Sequence, residues 1–217
     1  MGKKNIKWLI GIDEVGRGPL AGPVGVGIVM VPADFDWSVL PGVNDSKRLK
    51  PENREAIFRQ AQQLKKAGQL SFAVSLVNSS VIDKIGIVPA IRLAMKRGLK
   101  KVTTISPRVP LGTIEVKLDG GLKAPAEFVN QEMIVKGDGK EKVIGLASIV
   151  AKVTRDRYME RLAKKSEFVI YDFAKHKGYG TKAHRQAVSE NGLSSQHRVS
   201  FCRSIEQMSN GIIDIIK

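Results

Sequence analysis

Cysteine occurs once in the 217 residues, at Cys202, so the chain cannot close a disulfide on itself or build a multi-cysteine metal site. That suits a reducing compartment. Long apolar runs are missing as well. The N-terminal stretch MGKKNIKWLIGID is basic, but its apolar segment is too short for a signal peptide or a membrane span. No repeat, low-complexity tract or clear linker breaks the chain. The histidines, His176, His184 and His197, lack the tight spacing of a zinc site. Gly16-Arg17-Gly18 is followed by Pro19, Pro23 and a strand-like run instead of a helix, which excludes a dinucleotide-binding fingerprint. The expectation is a soluble, cytoplasmic protein, monomeric and without a membrane partner.

Acids are also scarce: 21 Asp and Glu stand against 36 Lys and Arg, for a net charge of +15. A polyanionic partner is implied, with nucleic acid the first candidate. The excess is uneven. Residues 140–203 hold 14 Lys or Arg and 6 Asp or Glu, a net of +8, whereas residues 104–139 hold 4 and 5, a net of −1. An acid-bearing stretch followed by a basic one suits a metal site beside a phosphate-binding surface.

Hydrophobic residues make up 42 %, enough for a sizeable core. Strands are predicted at 8–13, 23–32, 70–77, 113–119 and 132–138. A helix is predicted from Pro51 to about Gly68, with Ile57, Ala61 and Leu64 on one stripe. Residues 79–99 read as helical with a break or bend at Gly86 and Pro89. A long helix is predicted over 141–164, and two shorter ones start near Thr181 and Phe201. Alternating strands and helices predict an α/β fold with a mixed sheet, helices on both faces and a helical tail.

Three acids share one context: Asp13 ends WLIGID, Asp119 ends IEVKLD and Asp138 ends MIVKGD. Sites in open α/β sheets form beyond the carboxyl ends of strands, where residues distant in sequence converge. Glu14 adjoins Asp13, and the two can serve one site only if the strand ends or twists there. Gathered carboxylates repel unless a cation lies between them, and oxygen-only ligands suit Mg²⁺ or Mn²⁺. Two such ions can clamp the attacking and leaving oxygens of a phosphodiester. Taken singly, each acid has an ordinary alternative as a cap or turn residue, such as Asp119 before Gly120-Gly121.

The basic motifs complement the acids. Lys47, in NDSKRL just before Pro51, is a candidate phosphate contact or a solvated lysine. In KHKGYGTKAH, Tyr179 stands between glycines among cations, which suits stacking on a sugar or base, or a plain surface turn. Gly16 and Gly18 permit close backbone approach to a ligand or simply form a tight turn.

The ordered set IGIDEVGRGPLAGPV, NDSKRL, LDGG, IVKGD, LASIVAKVTRDR, HKGYGTKAH and HRVSF resembles the ribonuclease HII family from about Ile10 to Phe201. The resemblance implies one catalytic domain, with a five-stranded ribonuclease-H-like core over about 7–164 and a helical extension over about 165–217. It implies cleavage of the RNA strand of RNA–DNA hybrids. It also implies cutting 5′ to single ribonucleotides in duplex DNA, leaving 3′-OH and 5′-phosphate ends, in the service of ribonucleotide removal. By motif, Asp13, Glu14, Asp119 and Asp138 would hold two Mg²⁺ or Mn²⁺ ions. Gly16, Arg17 and Gly18 would contact the ribose 2′-OH, Tyr179 the adjoining deoxyribose, and Lys47 a phosphate. Two rivals share the fold: a non-catalytic hybrid-binding protein, disfavoured by the intact acids, and a DNA-directed nuclease, disfavoured by the GRG and GYG motifs.

Overall fold

The computed structural model describes residues 6–43, 49–104 and 109–203, and Lys47 lies outside them. The described residues fall into two compact units. The first contains residues 6–15, 25–43, 49–76, 91–104 and 109–154. The second contains 16–24, 77–90 and 155–203.

The first unit is built on a sheet of β1 (Trp8–Val15), β2 (Val24–Pro32), β3 (Ser71–Val77), β4 (Ile114–Asp119) and β5 (Asn130–Ile134), in the order β3-β2-β1-β4-β5. β1 runs antiparallel to β2 and parallel to β4, and β4 runs parallel to β5. The mixed sheet expected from the short β1–β2 turn is therefore present. Alternation gives each strand two faces. On one, Val29 and Val31 of β2 pack with Ile57, Phe58 and Ala61 of α1 (Pro51–Lys66) and with the apolar half of α4 (Lys142–Ala163). On the other, a Cβ at Gly98 of α3 (Ile87–Thr104) would stand 2.5 Å from Ile28 Cδ1, so α3 covers that side closely.

Two glycines decide how near α4 lies. A Cβ on Gly11 would fall 2.2 Å from the Val143 carbonyl oxygen, and one on Gly27 would fall 2.2 Å from that of Ala147. Only hydrogen at both positions lets the helix backbone rest on β1 and β2.

The break predicted in 79–99 is real, and its cause is Gly86. Asn78 caps α2 (Ser79–Ile85) through its side chain, and Gly86 ends it at φ 86° while donating to the Ile82 carbonyl at 2.7 Å. Pro89 falls in the first turn of α3, where a missing N–H costs nothing, so it does not bend the helix.

One strand differs from expectation. β5 covers 130–134 rather than 132–138. Lys136 adopts left-handed φ 55°, and the chain turns into a 3₁₀ segment, Gly137–Gly139. Asp138 therefore sits in a turn beyond the strand, not at its end.

In the second unit, α5 (Phe173–His176), α6 (Lys182–Asn191) and helical residues 199–203 follow the end of α4. They close over a core of Leu20, Met159, Leu162, Phe168, Tyr171 and Phe173. Among the described residues no helix is long and apolar enough to cross a membrane.

Candidate active site

Asp13 and Asp119 are brought together by strand register. The last paired residues of β1 and β4 are Ile12 and Leu118, so the next residue in each parallel strand is an aspartate, and both point to the face covered by α4. Gly27, opposite Asp13 on β2, and Gly11 two residues before it let α4 close in, and Ser148 of α4 hydrogen-bonds the Asp13 carboxyl. Asp119 Oδ1 accepts the Gly137 N–H at 2.6 Å, tying the Asp138 turn to β4. A Cβ on Gly137 would stand 2.6 Å from Ile144 Cδ1 and 3.4 Å from Asp119 Oδ1, so the turn packs closely on the tip of Ile144. Asp13 and Asp138 are 5 % and 4 % exposed. Pairing of β1 with β4 stops at Ile12 while pairing with β2 runs on through Val15, and Glu14 lies near enough for its charge to act on Asp13.

Burial pushes the Asp13 carboxyl up to about 7, Ser148 opposes the shift, and the charges of Asp119, Glu14 and Asp138 add to it. The other three acids thus act electrostatically on Asp13. Among the described residues, however, no three Asp, Glu, His or Cys side chains stand close enough to hold an ion as they are. The donor set is oxygen only, and a buried aspartate that keeps its proton near neutrality is a site that a divalent cation would relieve. The residues fit Mg²⁺ or Mn²⁺ better than a softer metal.

In the second unit, two buried arginines organise the glycine motif. Arg198 donates to the carbonyls of Gly16 (2.7 Å), Arg17 (3.0 Å) and Gly22 (3.0 Å). Arg155 donates to those of Pro23 (2.9 Å), Ala21 (3.2 Å) and Lys177 (2.9 Å). Trans peptides are planar, so carbonyls turned toward Arg198 send the N–H groups of Arg17 and Gly18 the other way. Gly16 has φ 77°, and a Cβ there would meet Arg155 Nε at 2.2 Å; a Cβ on Gly18 would meet nothing within 4 Å. Tyr179 is 42 % exposed, with the Arg155 guanidinium 5.8 Å from its ring centroid.

Sequence reasoning named the acids but missed Ser148, Gly11, Gly27 and the structural roles of Arg155 and Arg198. Two glycines inside apolar strands were the available signal of close backbone approach. A groove of about 840 Å³ lined by Lys65, Phe72, Val74, Arg97 and Lys100 contains none of the acids and is not this site.

The sequence matches the family model of Ribonuclease HII over residues 10–204. Ribonuclease HII of Endomicrobium trichonymphae is 44 % identical over 191 residues, covering 88 % of this chain and 83 % of that protein. The Bacillus anthracis ribonuclease HII is 41 % identical over 199 residues, covering 92 % and 70 %. Ribonuclease H2 of Pyrococcus horikoshii OT3 has a similar structure, with a TM-score of 0.65 at 25 % identity over 94 % of this chain and 99 % of that one. Bst ribonuclease HIII, solved with Mn²⁺, shares the fold at a TM-score of 0.70 and 18 % identity, over 95 % and 71 %. The chain belongs to the ribonuclease HII family, divalent-metal-dependent endonucleases that cleave the RNA of RNA–DNA hybrids and ribonucleotides within DNA.

Proposed function

We propose that Asp13, Glu14, Asp119 and Asp138 hold two Mg²⁺ or Mn²⁺ ions, and that the chain cuts 5′ to a ribonucleotide to leave 3′-OH and 5′-phosphate ends. The observation that carries the reading is Asp13 and Asp119 side by side on adjacent parallel strands, with the Asp138 turn hydrogen-bonded to Asp119. Bound there, the ions would activate water and stabilise charge on the phosphodiester. The chain's own part is orientation. Ser148 fixes the Asp13 rotamer, and the Gly137 amide fixes that of Asp119. The outward amides at residues 17 and 18 suit a 2′-OH, the group that separates RNA from DNA. Tyr179 supplies an exposed ring for the neighbouring sugar, Lys47 a phosphate contact, and the basic charge a sequence-independent grip. The reading includes a single catalytic domain, with its core over about 7–164 and its helical extension over about 165–217, acting as a cytoplasmic monomer.

In a duplex with one ribonucleotide, Asp119→Asn should lower the cutting rate by on the order of 10³-fold while hybrid affinity stays near wild type. Retained turnover refutes the ligand role. Because protons compete for Asp13 below about pH 7, the metal concentration for half-maximal rate should fall as pH rises from 6 to 8 and then level off. A requirement independent of pH contradicts this.

The two motif glycines should respond differently. Gly18→Ala, in open space, should leave stability within roughly 1 kcal/mol of wild type yet slow cutting at single ribonucleotides. Gly16→Ala should cost stability as well, through its positive φ and the Arg155 clash. Equal melting temperatures for the two variants count against the account.

A further inference from the structure

The second unit buries three histidines that the proposed chemistry does not use. His184, His197 and His176 are 0 %, 3 % and 9 % exposed. His184 stacks on His176 with centroids 4.2 Å apart, and its Nε2 lies 3.0 Å from Nε2 of His197. The phenyl ring of Phe173 packs edge-on against His184 at 5.6 Å.

Their partners assign every proton. His184 Nδ1 lies 2.9 Å from the Tyr179 carbonyl oxygen, which can only accept, so Nδ1 carries the proton and Nε2 is an acceptor. From the other end, the Ser194 N–H donates to His197 Nδ1 at 2.9 Å, so His197 carries its proton on Nε2 and donates it to His184. Two independent starting points give the same direction: Ser194 N–H to His197, His197 to His184, His184 to the Tyr179 carbonyl. His176 grips the same turn. Its Nε2 donates to the Tyr171 carbonyl at 2.6 Å, and its Nδ1 accepts the Gly178 N–H at 3.2 Å. The turn is thus held from Gly178 and from Tyr179, and the network closes only with all three rings neutral. Burial, which holds all three below the usual histidine value, is consistent with that.

We propose that His184, His197 and His176 are positioning residues for Tyr179: a one-way hydrogen-bond chain fixes the turn that carries the ring and thereby sets how well a single ribonucleotide is distinguished from a continuous hybrid. The proposal rests on the reading of Tyr179 as a substrate contact. Misplacing a contact group by an ångström can lower a rate by as much as about 10²-fold, without touching the reacting atoms.

The test compares cleavage of a single-ribonucleotide duplex with that of a long RNA–DNA hybrid, both in Mn²⁺. His184→Ala should lower the first at least about tenfold more than the second. His184→Asn, whose amide N–H can replace Nδ1–H, should recover most of the loss. Adding His184→Ala to Tyr179→Ala should change nothing further. Equal losses on both substrates, no recovery with Asn, or multiplying losses overturn the proposal. If Tyr179→Ala alone leaves the ratio unchanged, the reading of Tyr179 falls and takes the proposal with it. If Tyr179→Ala shifts the ratio and His184→Ala does not, the histidine proposal alone falls. Long-range ¹H–¹⁵N spectra of the wild-type imidazoles at pH 7 test the chain without any variant. They should show Nδ1–H at His184 and Nε2–H at His197 and His176; an imidazolium or another tautomer overturns it.

Discussion

Asp13→Asn should inactivate the enzyme and, in the absence of metal at pH 8, make it melt higher. Loss of activity follows from removing a carboxylate proposed to hold the cations, with an expected fall in rate of 10³-fold or more, on the order of several kcal/mol. The gain in stability follows from linkage. Burial and the three neighbouring acids raise the Asp13 carboxyl from 3.8 to about 7. A folded value above the unfolded one means that the contribution to stability is complete below pH 3.8 and is lost as pH rises through about 7. At pH 8 the metal-free protein carries an ionised, buried aspartate among like charges. A gap of that size corresponds to roughly 4 kcal/mol, or about 10 °C in melting temperature for a chain of this length. Asparagine keeps a partner for Ser148 and removes the charge. The difference should shrink toward pH 4 and reverse when saturating Mn²⁺ stabilises only the wild type. Equal melting curves at pH 8 without metal would contradict the assigned environment of Asp13.

Gly11→Ala and Gly27→Ala should be the most damaging substitutions in the sheet. Each new methyl would sit 2.2 Å from a backbone carbonyl oxygen of α4. A backbone cannot rotate aside as a side chain does, so the helix must lift from the sheet. That loosens Ile144, Ala147 and Val150, all fully buried, and draws Ser148 from Asp13. Overpacking typically costs about 1–3 kcal/mol, and contact with rigid backbone belongs at or above the top of that range. Gly121→Ala, where nothing stands within 4 Å, is the control and should move the urea midpoint little. Wild-type midpoints for the two sheet variants would mean that α4 does not lie where described.

The proposed acids and the glycine motif are legible in the sequence because carboxylates after apolar runs and glycines beside prolines stand out locally. The apolar run WLIGID and the alternation along TIEVKLD also place β1 and β4 to within two residues at each end. What failed did so for local reasons. MIVKGD reads as a strand, yet the Gly137 amide is taken by Asp119, a partner 18 positions away that periodicity cannot reveal. Ser148 lies within the apolar half of α4, and only register and helix proximity show that it meets Asp13. Arg155 and Arg198 look like two more cations of a basic tail. Their burial, and the six carbonyls they hold, depend on the fold closing around them. Zinc spacing, which the three histidines lack, is no guide to a chain of neutral imidazoles.

Everything in the site turns on whether the distant acids share cations. Anomalous scattering at the manganese edge, from crystals soaked in Mn²⁺, measures this directly. Density is expected within coordinating distance of the carboxylates of Asp13, Asp119 and Asp138, and absent in crystals of Asp13→Asn. Density bound elsewhere, or unchanged by that substitution, would contradict it.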